Sequence, residues 1–346
     1  MKAIRSISVG TPVPVPDNAG DTWMPAWTIS GDLYSPSNDT KGFHQAGSGN
    51  LMFSQILGED PHKLTGETVN TMSDFRKANE KGTDGCTWKS SGCVAVDGAL
   101  YLLVARHKYG ENSGDAMRRQ TVKNASIIRS ANGGKTWVPS AQEVEDNPMF
   151  PGAQFAAPYF INYGQDGKEA LADQSDHYIY GLSNNGFWDN GDSVILGRVL
   201  RSKLPLLCGE DWQFFKQGDG SRDSNWSSHA ENAKPVLVNP GHLGSTGVVY
   251  LPAQNCYFMI GWYYPKGGGK MPNAHTETCW DFYVAPHPWG PWKVVGSHTF
   301  SPQGFYCPVV CPKFTSPDGS KIWAFASGDW TNPDVYRLTG IPLSIQ

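Results

Sequence analysis

An all-β chain arranged as a five-bladed β-propeller is predicted by three observations on this 346-residue sequence. A two-strand unit recurs five times, the composition is rich in Gly, Pro and aromatic residues, and turn-forming residues stand at the hairpin tips. Thirteen Trp, 14 Tyr and 15 Phe accompany 39 Gly and 25 Pro, while charged residues make up only 17%. A helical chain would carry more Lys, Glu, Ala and Leu; many short strands and tight turns explain this balance better.

In each unit a run of small and aromatic residues is followed by a turn and then by an alternating run with polar residues at its end. The first unit spans 21–30 and 31–39, with Ser30-Gly31 at the tip. The second spans 88–96 and 97–107, with Asp97-Gly98 at the tip. The third comprises 155–163 and 176–185, and the fourth 245–251 and 255–264. The fifth comprises 306–314 and 318–329, with Asp318-Gly319 between them. Ser-Gly and Asp-Gly pairs supply the positive φ that two-residue hairpins require. Segments 124–130, 193–200, 280–285 and 335–338 read as outer strands. The leading residues 4–9 can pair with the last unit, which is one strand short, and close the ring so that no sheet edge stays open. Units of roughly 65 to 80 residues fit four-stranded blades with long loops and make residues 1–346 one domain. A β-sandwich with long loops is the competing architecture.

A net charge of −4 argues against a nucleic-acid partner. No apolar run is long enough for a membrane span, and the first residues lack the apolar stretch of a signal peptide. The sequons at Asn38, Asn124 and Asn225 are compatible with a secreted or periplasmic protein, expected to be monomeric, and equally with chance. The pairs Cys86/Cys93 and Cys307/Cys311 lie too far apart along extended chain for disulfides unless the chain turns, and form no CxxC zinc motif.

In a blade the first strand lines the axis and the second returns antiparallel. Starts of first strands and ends of second strands therefore share one face of the ring. The starts carry Asp21, Trp23, Trp88, Lys89, Phe155, Ser245 and Tyr306. The ends carry Asn38, Asp39, Arg106, His107, Asn184, Asn185, Trp262, Tyr263, Asp329 and Trp330. Aromatic faces stack on sugar rings, and carboxylates and amides bond hydroxyls, so this face suits a carbohydrate.

Glycoside hydrolysis needs one protonated and one ionised carboxyl across the scissile bond. Asp39 or Asp21 is the expected base or nucleophile and Asp329 the second carboxyl, with Glu231 the alternative acid. β-Elimination at a uronic acid would instead use His107 as base, Arg118 or Arg106 to neutralise the carboxylate, and Tyr263 or Tyr109 as acid. Lectin-like binding without chemistry is the third reading, although the funnel positions differ from unit to unit. No cofactor is expected; a structural calcium near Asp21, Asp39 and Asp329 would suit hard oxygen ligands.

The stretch Ser130-Ala-Asn-Gly-Gly-Lys-Thr-Trp137 resembles the Asp-box hairpin of sialidase-like propellers, with Asn132 in place of the usual Asp. The five units together with Ala285-Pro-His-Pro-Trp-Gly-Pro-Trp292 resemble five-bladed glycoside hydrolases of the arabinanase and arabinofuranosidase type. That resemblance implies an Asp of the first unit, Asp21 or Asp39, as the base. The family's opening Asp-Pro is replaced here by Asp21-Thr22-Trp23, and no Glu opens a later axial strand.

Overall fold

The computed structural model describes residues 4–110, 117–169 and 177–346, and the chain is all-β in architecture with one short α-helix among those residues. Two short strands, β1 (Ile7–Val9) and β2 (Val13–Pro14), precede five successive antiparallel meanders. Among the described residues the strands pair into four sheets, the third and fourth meanders sharing one sheet through a parallel pair. The first contains β3 (Asn18–Asp21), β4 (Ala26–Trp27), β5 (Leu33–Phe43), β6 (Gly49–Leu57) and β7 (Thr65–Asn70). The second contains β8 (Thr87–Val96), β9 (Ala99–Lys108) and β10 (Thr121–Ser130), followed by α1 (Ala141–Asp146). The third contains β11 (Pro158–Asn162), β12 (Tyr178–Asn184), β13 (Gly191–Leu200), β14 (Gln213–Phe215), β15 (Trp226–Ser227) and β16 (Leu237–Leu243). The fourth runs through β17 (Val248–Leu251), β18 (Cys256–Tyr263), β19 (Thr278–Ala285) and β20 (Lys293–Phe300). The fifth is β21 (Phe305–Cys311), β22 (Lys321–Gly328) and β23 (Thr339–Ile345).

Local chemistry explains these elements. The β8–β9 tip places Asp97 (φ 50°) and Gly98 (φ 76°) both in the left-handed region, the geometry a two-residue turn needs to match strand twist. Helix α1 opens on a capping box in which Ser140 accepts from the Glu143 amide while Glu143 reaches back to Ser140. Between Ser130 and Thr136, Asn132 Oδ1 accepts from the Thr136 amide (3.0 Å), holding that turn.

The core follows the order of the meanders. One hydrophobic cluster joins the first and second through Phe53, Leu102 and Val104, and another joins the second and third through Leu103, Ile127 and Phe160. A further cluster joins the third and fourth through Leu182, Val248 and Met259, and one joins the fourth and fifth through Phe258, Ile322 and Leu343. The remaining cluster packs Trp23, Leu33 and Ile56 of the first against Phe325 of the fifth. Strand β1 pairs antiparallel with β23, Ile7 opposite Ile345.

Two expectations change. Residues 335–338 are not a strand; the outer strand of the fifth meander is β23, because Val335 and Tyr336 sit in a turn closed by Asn332. Asp176, expected to open a strand, lies outside the described residues, and β12 is described from Tyr178. All seven cysteines are free thiols. The three sequon asparagines are buried, Asn38 at 0% and Asn124 and Asn225 at 9% exposure, so they are not presented as surface acceptors. No helix among the described residues is long and apolar enough to cross a membrane.

Candidate functional site

The site is built around a clamp between the first two meanders. Asn38, in the middle of β5, donates from Nδ2 to the Ser90 carbonyl (3.1 Å) and accepts at Oδ1 from the Ser90 amide (2.8 Å) and hydroxyl (2.9 Å). This exchange sets the neighbouring residues, Asp39 and Lys89, face to face. Asp39 adopts a left-handed conformation (φ 42°), a strained backbone for a non-glycine residue and one that clusters at functional sites. Its Oδ2 accepts from Lys89 Nζ and from the Tyr109 hydroxyl (2.9 Å). Its Oδ1 is buried and has no hydrogen-bond partner among the described residues.

Burial works against the Lys89 charge, but the Asp39 carboxylate, with Tyr109 and Asp21, outweighs it and raises the ammonium's proton affinity. Burial also pushes the Tyr109 phenol up to about 12. The second carboxyl, Asp21, ends β3 beside a register shift in its pairing with β5. Its Oδ1 accepts from Thr22 (2.8 Å) and its Oδ2 from the Tyr306 hydroxyl (3.0 Å). The Tyr336 hydroxyl bridges Asp21 Oδ2 (3.2 Å) and the Asp39 carbonyl (3.0 Å). Burial is the main cause that raises the Asp21 carboxyl's proton affinity; Lys89 opposes it and Asp39 reinforces it.

Both carboxyls line one cavity of about 300 Å³, together with Lys89, Tyr109, Tyr306 and Tyr336. Trp188, Trp262, Tyr264 and Trp330 supply further aromatic wall. A concave space with convergent polar groups on an aromatic wall is the usual form of a ligand site. A larger cleft of about 840 Å³ between the second and third meanders is lined by Phe150, Phe155, Phe214, His229 and Glu231. It contains neither Asp21 nor Asp39, and it holds Glu231 apart from both.

Of the residues predicted from sequence, the structure brings together Asp21, Asp39, Lys89, Tyr109, Trp262, Tyr306 and Trp330. His107 lies one layer behind them. It is fully buried, donates from Nε2 to Gln120 Oε1 (2.7 Å), and packs edge-on against Tyr109 (4.7 Å) and Trp188 (5.3 Å). Burial, followed by Lys89, holds its imidazole well below the usual range, so it is neutral.

The other candidates are placed elsewhere. Trp23 and Trp88 belong to hydrophobic clusters, with strand alternation turning Trp88 away from the side that Lys89 faces. Arg106 is 1% exposed, bonded to Asp84, Glu145 and the Cys86 carbonyl, and stacked over the Trp88 ring at 4.4 Å. Asn184 is consumed by the Leu243 carbonyl (3.0 Å). Tyr263 packs on His242 (3.8 Å between rings) rather than in the cavity. Arg118 is exposed and does not line the cavity. Asp329 accepts from the Thr331 amide (2.8 Å) and hydroxyl (2.7 Å), a turn cap, and only its neighbour Trp330 reaches the cavity. The elimination set of His107, Arg106 and Arg118 is therefore not assembled. Among the described residues no group of three or more His, Cys, Asp or Glu side chains is gathered as for a metal ion.

Tyr264, Trp188, Tyr336, Gln120 and Lys270 also line the cavity and were not singled out beforehand. For Tyr264 a signal existed: period-two alternation pairs it with Trp262 and excludes Tyr263. The others sit on loops, where no periodicity points.

No family model and no curated protein sequence matches the chain. Among solved structures it resembles a Bacteroides ovatus protein assigned to the hydrolases, with TM-score 0.57 and 12% identity, over 95% of this chain and 86% of that one. It also resembles an exo-β-1,3-galactanase from Phanerochaete chrysosporium, with TM-score 0.50 and 11% identity, over 98% of this chain and 64% of that one. A GH43 protein from Bacillus licheniformis aligns with TM-score 0.48 and 11% identity, over 92% of this chain and 50% of that one. The chain thus spans about half to two thirds of the length of the latter two. At these identities the likeness is one of fold.

Proposed function

We propose that the chain is a five-bladed β-propeller glycoside hydrolase that acts on a carbohydrate in the cavity between Asp21 and Asp39. The ring reading is supported by the hydrophobic clusters, which join each meander to the next and the fifth back to the first. The catalytic reading rests chiefly on one observation: two carboxyls share one cavity in unlike surroundings, Lys89 touching Asp39 directly and acting on Asp21 only from farther off. Asp39 faces a buried ammonium, whereas burial favours the protonated form of Asp21. Such a split is what an ionised base or nucleophile and a protonated acid require. Asp39, with its uncommitted Oδ1, takes the first role and Asp21 the second. Trp188, Trp262 and Trp330 provide faces on which sugar rings stack.

The test is to incubate the protein with plant and microbial polysaccharides, following reducing ends and the ultraviolet absorbance of unsaturated uronates. Reducing ends without that absorbance, lost in Asp21→Asn and Asp39→Asn, support hydrolysis. Unsaturated product would assign elimination instead, and binding without product would leave a lectin.

A further inference from the structure

Behind the cavity wall lies a carboxylate with no part in the reaction just described. Asp189 is fully buried, between Trp188, which lines the cavity, and Asn190. Its two oxygens accept from two different loops: Oδ1 from the Gln120 amide and Oδ2 from the Gly269 amide. Asn190 joins the same two regions. Its side chain exchanges hydrogen bonds with the Tyr264 carbonyl (2.9 Å) and amide (2.9 Å), and its carbonyl accepts from Arg119 (2.6 Å). The loops also meet directly, the Gly268 amide donating to the Met117 carbonyl (3.0 Å). Their packing is tight: a Cβ on Gly269 would lie 2.5 Å from the Gln120 side-chain nitrogen.

Both loops lead to one residue. Gln120 holds His107 (2.7 Å), and His107 packs edge-on against the Tyr109 ring. Lys270, adjacent to Gly269, places its ammonium over that same ring, 4.8 Å from the centroid. Tyr109 in turn donates to Asp39 Oδ2 (2.9 Å). We propose that Asp189 is a positioning residue that, through the loops carrying Gln120 and Lys270, fixes the Tyr109 hydroxyl against Asp39. It touches no ligand space itself, since its oxygens are taken up by backbone amides. The inference depends on the cavity being the functional site but not on which reaction occurs there.

A carboxylate accepting two amides is a charge-assisted clamp, and neutralising it weakens both bonds. The charged and titratable groups facing Asp189 are Arg119 from one loop and Tyr264 from the other, with Cys307 at longer range. Burial raises the Asp189 carboxyl to about 6, against the Gly269 and Gln120 amides, its own amide and Arg119, which lower it.

The test needs no substrate. In protein labelled with ¹³C-tyrosine, the Tyr109 ring resonance is assigned by its loss in Tyr109→Phe. In Asp189→Asn this resonance should shift while those of Tyr163 and Tyr250 stay in place. Amide exchange at Gln120 and Gly269 should accelerate about tenfold or more, as loss of a charged acceptor implies. The unmodified protein provides a second measurement that does not depend on the variant folding. Its Tyr109 resonance should move with a midpoint near pH 6, and Asp189→Asn should abolish that midpoint. A Tyr109 resonance unmoved by pH in the unmodified protein, or unmoved in a folded Asp189→Asn variant whose two amides have lost protection, would overturn the proposal. Failure to find any glycosidase activity would leave these readouts untouched, so the two readings fail separately.

Discussion

Lys89 and Asp39 form a buried ion pair that joins the first meander to the second, their side chains only 4% and 15% exposed. They meet because Asn38 and Ser90, the residue before one and after the other, are already clamped. Removing one partner of a buried pair leaves the other charge uncompensated, at about 3–5 kcal/mol. Lys89→Met should therefore lower unfolding stability by about that amount, read from urea denaturation at pH 7. A loss under about 1 kcal/mol would mean that water reaches Asp39 and screens it.

The placement of the acids separates their expected roles. Asp21→Asn and Asp39→Asn should each reduce turnover of a hydrolysed saccharide by about 10²–10⁴-fold, as loss of a general acid or base does, with Asp39→Asn also losing the stabilisation of its pair with Lys89. Asp329→Asn should leave turnover within about threefold, because Asp329 caps the turn at Thr331 and does not line the cavity. A large loss in Asp329→Asn would restore it as the second carboxyl.

The contrast among these acids also shows what could be read from sequence. Hairpin periodicity and tip residues located most strands, and the shared face of strand starts and ends located Asp21, Asp39, Lys89, Trp262, Tyr306 and Trp330. It failed where side-chain direction decided the outcome. Trp88 and Lys89 are neighbours, yet one is core and the other cavity; Tyr263 and Trp262 also part, the first packing half-buried on His242 and the second lining the cavity. Asp39 escapes simple alternation because its left-handed backbone redirects it. Trp188, Asp189 and Tyr336 lie on loops, whose positions follow from tertiary hydrogen bonds that no local pattern encodes.

Arg106 illustrates the structural alternative for a residue first considered for substrate binding. Burial alone would raise the carboxyl of its partner Asp84, but Arg106 overrides this and holds Asp84 well below the usual range. Arg106→Ala should cost about 1–3 kcal/mol by removing the bonds to Asp84 and the Cys86 carbonyl and exposing the Trp88 face, while Asp84 keeps Lys123 and the Cys86 amide. Thermal or urea unfolding measures this. A stable Arg106→Ala variant with weakened saccharide binding would return it to the site.

Asp189 makes a pH prediction with a definite sign. Its carboxyl is raised from 3.8 to about 6 in the folded state, with burial the main cause. Between those values the native state binds more protons than the unfolded chain, so stability falls as pH rises. The favourable contribution is complete below about pH 4 and lost through about pH 6. Asp189→Asn cannot titrate. The stability of the unmodified protein minus that of Asp189→Asn should therefore decline between pH 4 and pH 7 by on the order of 3 kcal/mol. Paired urea titrations across that range measure the difference. A flat or rising difference would show that the Asp189 charge is compensated in place, with Arg119 a stronger partner than the two backbone amides.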